Sequence, residues 1–392
     1  MSRWAWIEVD ESAIEHNVAL LSAAVAPTPL WAVVKANGYG HGASTAARCA
    51  LRAGAVGLCV ALVQEGVELR AAGVTAPILV LSEQPPEELR AAIDADLELT
   101  VYRVEHVEEI AAVAAEFAST PVRLHVKIDT GMRRVGAAEG DVGSVVTAIA
   151  AQSALELAGV FTHLAVADEP SHPFSAQQLD RFGVALAALR DQGHHPGVVH
   201  AANSAGGLAH EAARYGMVRA GIAMYGISPG PGVDDLVTGL RPALSVHARV
   251  SFVKRVAAGD QISYGLRHTF TRETTVATLP IGYADGVPRR LYSPAGMSPA
   301  GTVLLQGRRR PIVGVVTMDQ LMIDCGNDEV AIGDRAVLIG RQGAEVITVT
   351  DWADALGTIG YEIVCGFSAR LERRLVAHPS DPAFSTSIPP NR

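Results

Sequence analysis

The feature that most constrains the fold of this chain is a regular alternation of short apolar segments with longer amphipathic ones between about residues 10 and 230. The apolar segments favour strands, and they are LWAVVKA (30–36), AVGLCVA (55–61), PILVLS (77–82), LELTVY (97–102), VRLHVKI (122–128), LAGVFTHL (157–164), GVVHAAN (197–203) and MVRAGIAMYG (217–226). Eight short strands that alternate with helices predict an α/β fold, a closed parallel (β/α)₈ barrel. An open doubly wound sheet is the competing interpretation, and the even number of strands favours closure.

The pattern changes at SPGPGVDDLVTGLRPAL (228–244), which is rich in Pro and Gly and is typical of a linker. Period-two runs separated by turns follow it and predict a β-rich C-terminal domain. We therefore expect a barrel over 10–236 and a second domain over 237–378, to which the strand-like stretch 3–9 is added. A helix is expected over 11–25, and a loose tail over 379–392.

Composition excludes several classes of protein. The net charge of -9 argues against nucleic acid or an anionic membrane as the main partner. The basic run Arg308–Arg310 is interpreted as a solvated hairpin turn. The four cysteines show no C-x-x-C spacing, so no metal site is expected and a reducing compartment is favoured. MSRWAWIEVDES has acidic residues where a signal peptide needs an apolar core, so no signal peptide is expected, and no apolar stretch approaches membrane-spanning length. A cytoplasmic protein is the expectation.

Polar residues follow the carboxyl ends of several predicted strands, which is where barrel enzymes carry their active sites. These residues are Lys35, Lys127, Asp129, His163, His200, Asn203, Ser204 and Arg219, and Gly221 and Ile222 lie beside Arg219 within or at the end of the eighth strand. Lys35 taken alone is better explained as a strand-end residue whose ammonium reaches water. Ser204 and Gly221, however, lie after the seventh and eighth strands, where barrels commonly bind phosphate. A lysine and a phosphate seat at one barrel mouth suggest pyridoxal phosphate held as a Schiff base.

Nine motifs then resemble those of one family, the alanine racemases. WAVVKANGYGHG (31–42) resembles the family's cofactor-lysine motif. VKIDTGMRRVG, FTHLAVADE, HAANSAG, MVRAGIAMYGISP, ISYG, TLPIGYADGVPR, GVVTMDQ and YEIVCG follow in the family's order over most of the chain. The resemblance implies a barrel with a β-rich C-terminal domain and an isomerase that binds pyridoxal phosphate. It also implies a homodimer whose active sites are shared across the interface, and D-alanine supplied for peptidoglycan.

Residue roles carry over by position. The resemblance implies that Lys35 holds the cofactor and acts as a base on one face of the substrate, while Tyr264 of the partner subunit acts on the other. The implied cofactor-binding residues are Lys35, Tyr39, His163, Asn203, Ser204, Arg219, Gly221, Ile222 and Tyr361. Arg134 and Met318 are implied to bind substrate, with Lys127, His200, Asp168, Tyr283 and Arg289 in support. Lys127 matches a position that many members carbamylate. Arginine keeps its proton, so Arg219 beside the pyridine nitrogen favours proton exchange over transamination.

One departure from the family concerns substrate range. Val315 occupies a position where members commonly carry arginine, in the corridor that substrates use, whereas Asp168 and Arg289 match its partners there. An amino-acid racemase of broader specificity, accepting serine or lysine, therefore stays open. A non-catalytic pyridoxal-phosphate carrier is a further alternative, although such a protein would lack the β-rich domain and Tyr264. A decarboxylase of the same barrel class is disfavoured because Tyr264 occupies the segment of the second base.

Overall fold

The computed structural model describes residues 3–292 and 301–376, and they form two compact units. One unit consists of the described parts of Met1–Glu11 and Pro242–Pro379, and the other is Ser12–Arg241. The first strand, β1 (Ala5–Asp10), belongs to the former unit although it comes first in the chain. The tail expected over 379–392 lies outside the described residues.

The unit Ser12–Arg241 is an eight-stranded parallel barrel. Its helices are α1 (Glu11–Val25), α2 (Lys35–Tyr39), α3 (Ala43–Arg52), α4 (Val63–Ala71), α5 (Leu89–Asp94), α6 (Val104–Phe117), α7 (Val142–Ala150), α8 (Phe174–Asp191) and α9 (Ser204–Ala209). Its strands are β2 (Leu30–Val33), β3 (Gly57–Val60), β4 (Ile78–Val80), β5 (Glu98–Val101), β6 (Val122–Lys127), β7 (Leu155–Phe161), β8 (Val198–His200) and β9 (Val218–Ala220). Seven of the eight predicted strand segments contain one of these strands, and β7 begins two residues before its predicted segment, at Leu155.

The strand order β8-β7-β6-β5-β4-β3-β2-β9 brings the two ends of the sheet together. The amide of Gly216 donates to the Val199 carbonyl at 2.9 Å, and that of Arg219 donates to the Ala202 carbonyl at 3.0 Å. These two backbone bonds join the β8 and β9 segments, so the sheet is a nearly closed barrel and not an open sheet. The predicted fold class is confirmed. Because all eight strands are parallel, their carboxyl ends meet at one mouth.

The helices surround the barrel through apolar stripes. In α1, for example, Ile14, Val18, Leu21 and Val25 are buried and recur at helical spacing. The expected helix 11–25 is therefore α1.

The other unit is dominated by strands. They are β10 (Leu244–Arg249), β11 (Phe252–Val256), β12 (Gln261–Ile262), β13 (His268–Thr269), β14 (Thr274–Leu279), β15 (Thr302–Leu305), β16 (Arg308–Pro311), β17 (Leu321–Gly326), β18 (Arg335–Gln342), β19 (Glu345–Ile347) and β20 (Glu372–Val376). The helices α10 (Val349–Leu356) and α11 (Gly360–Cys365) complete it. The largest sheet runs β16-β15-β18-β10-β1-β20, with β19 paired to β18. A second sheet has the order β11-β14-β17.

The interpretation of Arg308–Arg310 as a solvated turn is wrong. These residues open strand β16, and the turn lies one step earlier, at Gln306 and Gly307, where φ is 55° and 72°. Arg310 is buried, and its guanidinium bonds to Asp328 and to the Cys325 carbonyl. Along the described residues, no helix combines the length and the apolar character needed to cross a bilayer.

Candidate active site

Lys35 lies directly after β2, at the start of a turn with an unusual backbone. The next four residues, Ala36, Asn37, Gly38 and Tyr39, have φ values of 52°, 53°, 61° and 50°. This left-handed region costs residues with a Cβ atom about 1–2 kcal/mol each. The turn therefore requires support from outside.

A carboxylate from helix α4 provides this support. One oxygen of Glu65 accepts a bond from the Ala36 amide at 2.6 Å, and its other oxygen accepts one from the Ala61 amide at 2.8 Å. Glu65 thus ties the turn to the loop that follows β3. The position of Lys35 at the barrel mouth is fixed by a charge-assisted hydrogen bond one residue away.

Three groups converge beside this turn. The Ser204 hydroxyl accepts a hydrogen bond from the Gly221 amide at 2.8 Å. A Cβ atom added at Gly221 would lie 2.8 Å from the phenolic oxygen of Tyr39. Ile222 follows at the start of a 3₁₀ turn and is buried. Tyr39, Ser204 and Gly221 therefore form a small polar cradle, in which the absence of a side chain at Gly221 leaves room.

Arg219 is only 3 % exposed and is held by four contacts. Its Nη1 lies 2.6 Å from Nδ1 of His200, and its Nη2 donates to the carbonyls of Thr162 and Ala201 at 2.9 and 3.0 Å. Nη2 also lies 3.4 Å from Nδ1 of His163. Burial lowers the pKa of Arg219 to about 10, which leaves the guanidinium charged at neutral pH.

Lys127 and His163 lie in a strongly positive environment. Burial, followed by the positive charges of Arg134, Arg219 and Lys35, lowers the pKa of Lys127 to about 8. Burial, Arg219 and Lys127 lower the pKa of His163 well below its ordinary value. His163 is therefore neutral near pH 7, and a substantial fraction of Lys127 is deprotonated just above it.

Two residues predicted to belong to the site, Asn203 and Asp168, make contacts that stabilise the local fold. The Asn203 side chain caps α9 by accepting a bond from the Gly206 amide at 2.8 Å. Asp168 packs so closely on the loop after β9 that a Cβ at Gly230 would lie 2.6 Å from its carboxylate. Arg134 is exposed in the loop after β6.

The second unit carries Tyr264 on a strained loop. Tyr264 is 71 % exposed and follows Ser263, whose φ is 66°. The Ser263 hydroxyl donates to the carbonyl of Val315 at 2.7 Å. Gly314 makes this approach practicable, since a Cβ there would lie 2.7 Å from Ser263 Cβ. Tyr264 and Val315 therefore belong to one local structure.

Tyr283 and Met318 also lie together and are exposed. The Tyr283 amide donates to the Thr317 carbonyl at 3.0 Å, and the next amide donates to the Met318 carbonyl at 3.0 Å. Of the other predicted residues of this unit, Arg289 is exposed and Tyr361 is half-buried in α11.

The comparisons with known proteins agree with this arrangement. Residues 9–229 match the family model "Alanine racemase, N-terminal domain", and residues 243–375 match "Alanine racemase, C-terminal domain". The chain belongs to the alanine racemase family. The resemblance inferred from the motifs and the predicted enzyme class are confirmed.

Individual relatives extend this result. The chain is 47 % identical over 372 residues to an alanine racemase from Symbiobacterium thermophilum, covering 95 % of this chain and 97 % of that one. The alanine racemase from Bacillus anthracis with bound L-Ala-P has 40 % identity, 96 % coverage of both chains and a TM-score of 0.89. A histidine racemase from Leuconostoc mesenteroides has 29 % identity, covers 96 % of this chain and 98 % of its own, and has a TM-score of 0.86.

Sequence reasoning missed three polar residues, the half-buried Glu65 at the barrel mouth and the buried His125 and Glu98 in the barrel interior. A signal for His125 was present. Arg123, His125 and Lys127 occupy every second position of β6 and so point to one face of a strand that is buried on both sides. The interior of a barrel is usually aliphatic, so three such side chains in a row indicate a polar interior.

Proposed function

We propose that this protein is a pyridoxal-phosphate-dependent alanine racemase that interconverts L- and D-alanine with two bases. The observation that carries the proposal is the convergence of Lys35, the cradle of Tyr39, Ser204 and Gly221, and the buried Arg219 at one barrel mouth. The names of the relatives at 40–47 % identity support alanine as the substrate.

The cradle suits the phosphate of this cofactor. The Ser204 hydroxyl accepts from the Gly221 amide at 2.8 Å, so its own O–H can donate to an anion, and Gly221 leaves open the space beside Tyr39 that a side chain would fill. Lys35 supplies the amine to which an aldehyde would attach. When bound, pyridoxal phosphate withdraws electrons from the substrate and so weakens the bond between Cα and its proton.

Arg219 would face the ring nitrogen of the cofactor. Its guanidinium is donor-only and stays charged at neutral pH, so it would bond to this nitrogen without transferring a proton. The fixed contacts with Thr162, Ala201 and His200 keep it from turning away. This arrangement favours returning a proton to Cα over moving the amino group to the cofactor.

Two residues would move the Cα proton. The Lys35 amine accepts it on one face, and Tyr264 of the partner subunit donates its phenolic proton on the other, with the roles reversed for the opposite direction. The exposure of Tyr264 supports a partner subunit, because a large aromatic side chain left in water within one chain favours burial at an interface. The homodimer is part of this proposal.

Arg134 and the Met318 amide would hold the substrate carboxylate, and Lys127 would secure Arg134. With a pKa of about 8, roughly one Lys127 amine in ten is neutral at pH 7, against about three in ten thousand for an ordinary lysine. A neutral amine attacks CO₂, forms an N–C bond and releases one proton. The resulting carbamate would place a negative charge among the cations of Arg134, Arg219 and Lys35.

A broader racemase is the second candidate. A histidine racemase shares this fold at 29 % identity, so the family's architecture accepts a side chain much larger than that of alanine. Val315, buried beside the Tyr264 loop, is the residue where this chain departs from the family's corridor. Val315→Arg is expected to change the ratio of kcat/KM for alanine to that for larger substrates, and unchanged constants for every substrate would refute this role.

The test of the main proposal is loss of optical rotation from pure L-alanine, L-serine, L-lysine and L-histidine. Wild type is compared with Lys35→Ala and Tyr264→Phe, each loaded with pyridoxal phosphate. Lys254→Ala is the matched control for the first variant, because Lys254 is exposed on β11 and is the only lysine besides Lys35 and Lys127. Tyr215→Phe, at another exposed tyrosine, is the control for the second.

Rapid loss with alanine alone, abolished by Lys35→Ala and strongly reduced by Tyr264→Phe, would support the proposal. Comparable loss with a larger amino acid would favour the broader racemase. No loss with any substrate, despite a bound yellow cofactor, would refute both and favour a carrier. The cytoplasmic location and the role in peptidoglycan synthesis stay predictions.

A further inference from the structure

A row of five polar side chains crosses the interior of the barrel, where aliphatic residues are usual, and four of the five are buried. Arg219 lies 2.6 Å from Nδ1 of His200, whose Nε2 lies 3.0 Å from Nδ1 of His125. Nε2 of His125 lies 2.9 Å from one oxygen of Glu98, and the other oxygen accepts a bond from Nε of Arg123 at 3.0 Å. We call these five residues the interior chain.

The interior chain has only one consistent direction of hydrogen bonding. Arginine has no acceptor, so Nδ1 of His200 must accept from Arg219. His200 then carries its proton on Nε2 and donates it to Nδ1 of His125. His125 in turn carries its proton on Nε2 and donates it to Glu98. Both imidazoles are therefore neutral, and each has the proton on Nε2.

The interior chain also connects the two ends of the barrel. His200 ends β8 at the mouth, whereas Glu98 is the first residue of β5 and Arg123 is the second of β6. Burial tends to raise the pKa of Glu98, but the hydrogen bond from His125 together with the charge and hydrogen bond of Arg123 prevail and lower it. Glu98 is therefore ionised.

Arg219 has no direct counter-charge. Among the described residues, no carboxylate forms an ion pair with it, and its hydrogen-bond partners are two histidines and two carbonyls. Glu98 is the carboxylate at the far end of the interior chain. Its charge polarises the chain toward itself and strengthens Nδ1 of His200 as an acceptor.

We propose that Glu98 and His125 are positioning residues of the cofactor site. By keeping Nδ1 of His200 an acceptor, they hold the Arg219 guanidinium in one orientation beneath the cofactor ring. This inference rests on the proposed function, because it concerns the side chain that would face the ring nitrogen.

Three variants separate the parts of this proposal. Glu98→Gln removes the charge and lets an amide NH₂ face His125. When it does, the interior chain reverses, Nδ1 of His200 carries a proton, and its hydrogen bond with Arg219 is lost because arginine cannot accept. His125→Gln keeps the direction, since its carbonyl can accept from His200 while its NH₂ donates to Glu98. His125→Leu removes both hydrogen bonds of this residue and so interrupts the interior chain.

Glu83→Gln is the matched control. Glu83 is as buried as Glu98, and it pairs with Arg103 at 2.6 Å and accepts from the Tyr102 amide at 2.8 Å, outside the interior chain. Glu83→Gln removes the same charge from a similarly buried carboxylate. Melting temperatures of all variants establish that each is folded.

Two readouts are measured on the full chain loaded with pyridoxal phosphate. The first is ¹⁵N NMR of labelled histidines, in which signals of His125 and His200 are identified by their loss in His125→Gln and His200→Asn. The second is the amount of pyruvate released per alanine racemised, since pyruvate forms only when the amino group passes to the cofactor. A fold defect alone lowers both reactions and leaves their ratio unchanged.

We expect Glu98→Gln and His125→Leu to raise this ratio about tenfold, the effect that loss of an outer-shell partner commonly has at metal sites. Glu98→Gln should also shift the His200 signal toward the Nδ1–H tautomer, while His125→Gln and Glu83→Gln keep the wild-type ratio. If Glu98→Gln behaves like Glu83→Gln in both readouts, the inference is wrong. If wild type binds no cofactor or racemises no amino acid, the proposed function is refuted instead. The ¹⁵N NMR measurement then still tests the direction of hydrogen bonding in the interior chain.

Discussion

Replacing Lys127 with methionine measures how far a buried positive charge at the barrel mouth lowers the free energy of unfolding. Lys127 is 5 % exposed, and burial with the neighbouring cations lowers its pKa from 10.5 to about 8. At about 1.4 kcal/mol for each pKa unit, this difference corresponds to roughly 3 kcal/mol. Methionine has a similar length and no charge. In buffer kept free of CO₂, Lys127→Met is expected to raise the free energy of unfolding at about pH 7 by roughly this amount.

The dependence on pH identifies the cause. Below pH 8 the folded and unfolded states both carry the proton, and wild type bears the whole cost. Between pH 8 and 10.5 the folded state has lost the proton and the unfolded chain retains it, so wild-type stability rises with pH. The advantage of Lys127→Met should therefore fall to about half at pH ~9.5 and vanish above 10.5.

Urea unfolding followed by far-UV circular dichroism at both pH values provides the free energies. Lys254→Met, at the exposed lysine of β11, should change neither value. Bicarbonate should reduce the advantage of Lys127→Met, because a carbamate converts the buried cation of wild type into an anion. A destabilised Lys127→Met at pH 7, or an advantage independent of pH, would refute the reasoning.

Two further predictions concern single residues. Gly221→Ala places a Cβ 2.8 Å from the Tyr39 oxygen and should weaken pyridoxal-phosphate binding about tenfold or more, measured by absorbance titration, whereas Gly183→Ala on open helix surface should not. The pKa of Glu8 is lowered from 4.5 to about 2, chiefly by its hydrogen bond with His247. Glu8 therefore stabilises the fold above pH 4.5, and this contribution is lost as the pH falls toward 2. Glu8→Gln should reduce stability at pH 6 by up to roughly 3 kcal/mol and have little effect at pH 2, as acid-unfolding curves would report.

The sequence predicted the barrel well because its signals are local. Each strand is a short apolar run next to a helix. Such a run can be recognised in the sequence even when the strand has only three residues, as in β4. The second unit was harder. ALSVHARVSFVKRV reads as one period-two run, yet it divides into β10 and β11, which pair in different sheets. The choice of partner strand depends on residues far along the chain, and no local pattern contains it.

The residues of the site also fall into those that the sequence predicted and those that it did not. Lys35, Lys127, His200 and Arg219 were predicted because they end strands, and parallel strands bring their ends together. His125 lies inside β6, and its partners Glu98 and His200 come from β5 and β8. Contacts across a barrel interior depend on strand tilt and register, which the sequence does not display. The basic run Arg308–Arg310 was mistaken for the turn that lies at 306–307. Its charges suggested solvent exposure, whereas Arg310 is buried.

The left-handed turn after Lys35 has a consequence for how the protein moves. Ala36 and Tyr39 each carry about 1–2 kcal/mol of backbone strain. The bond from the Ala36 amide to the Glu65 carboxylate helps to offset that strain. A segment of this kind opens more readily than the barrel strands around it, so its amides should exchange with deuterium well before those of β2 and β3. A molecule that occupies the barrel mouth would slow this exchange, and the rate at residues 36–40 would then report occupancy of the site without any chemical turnover.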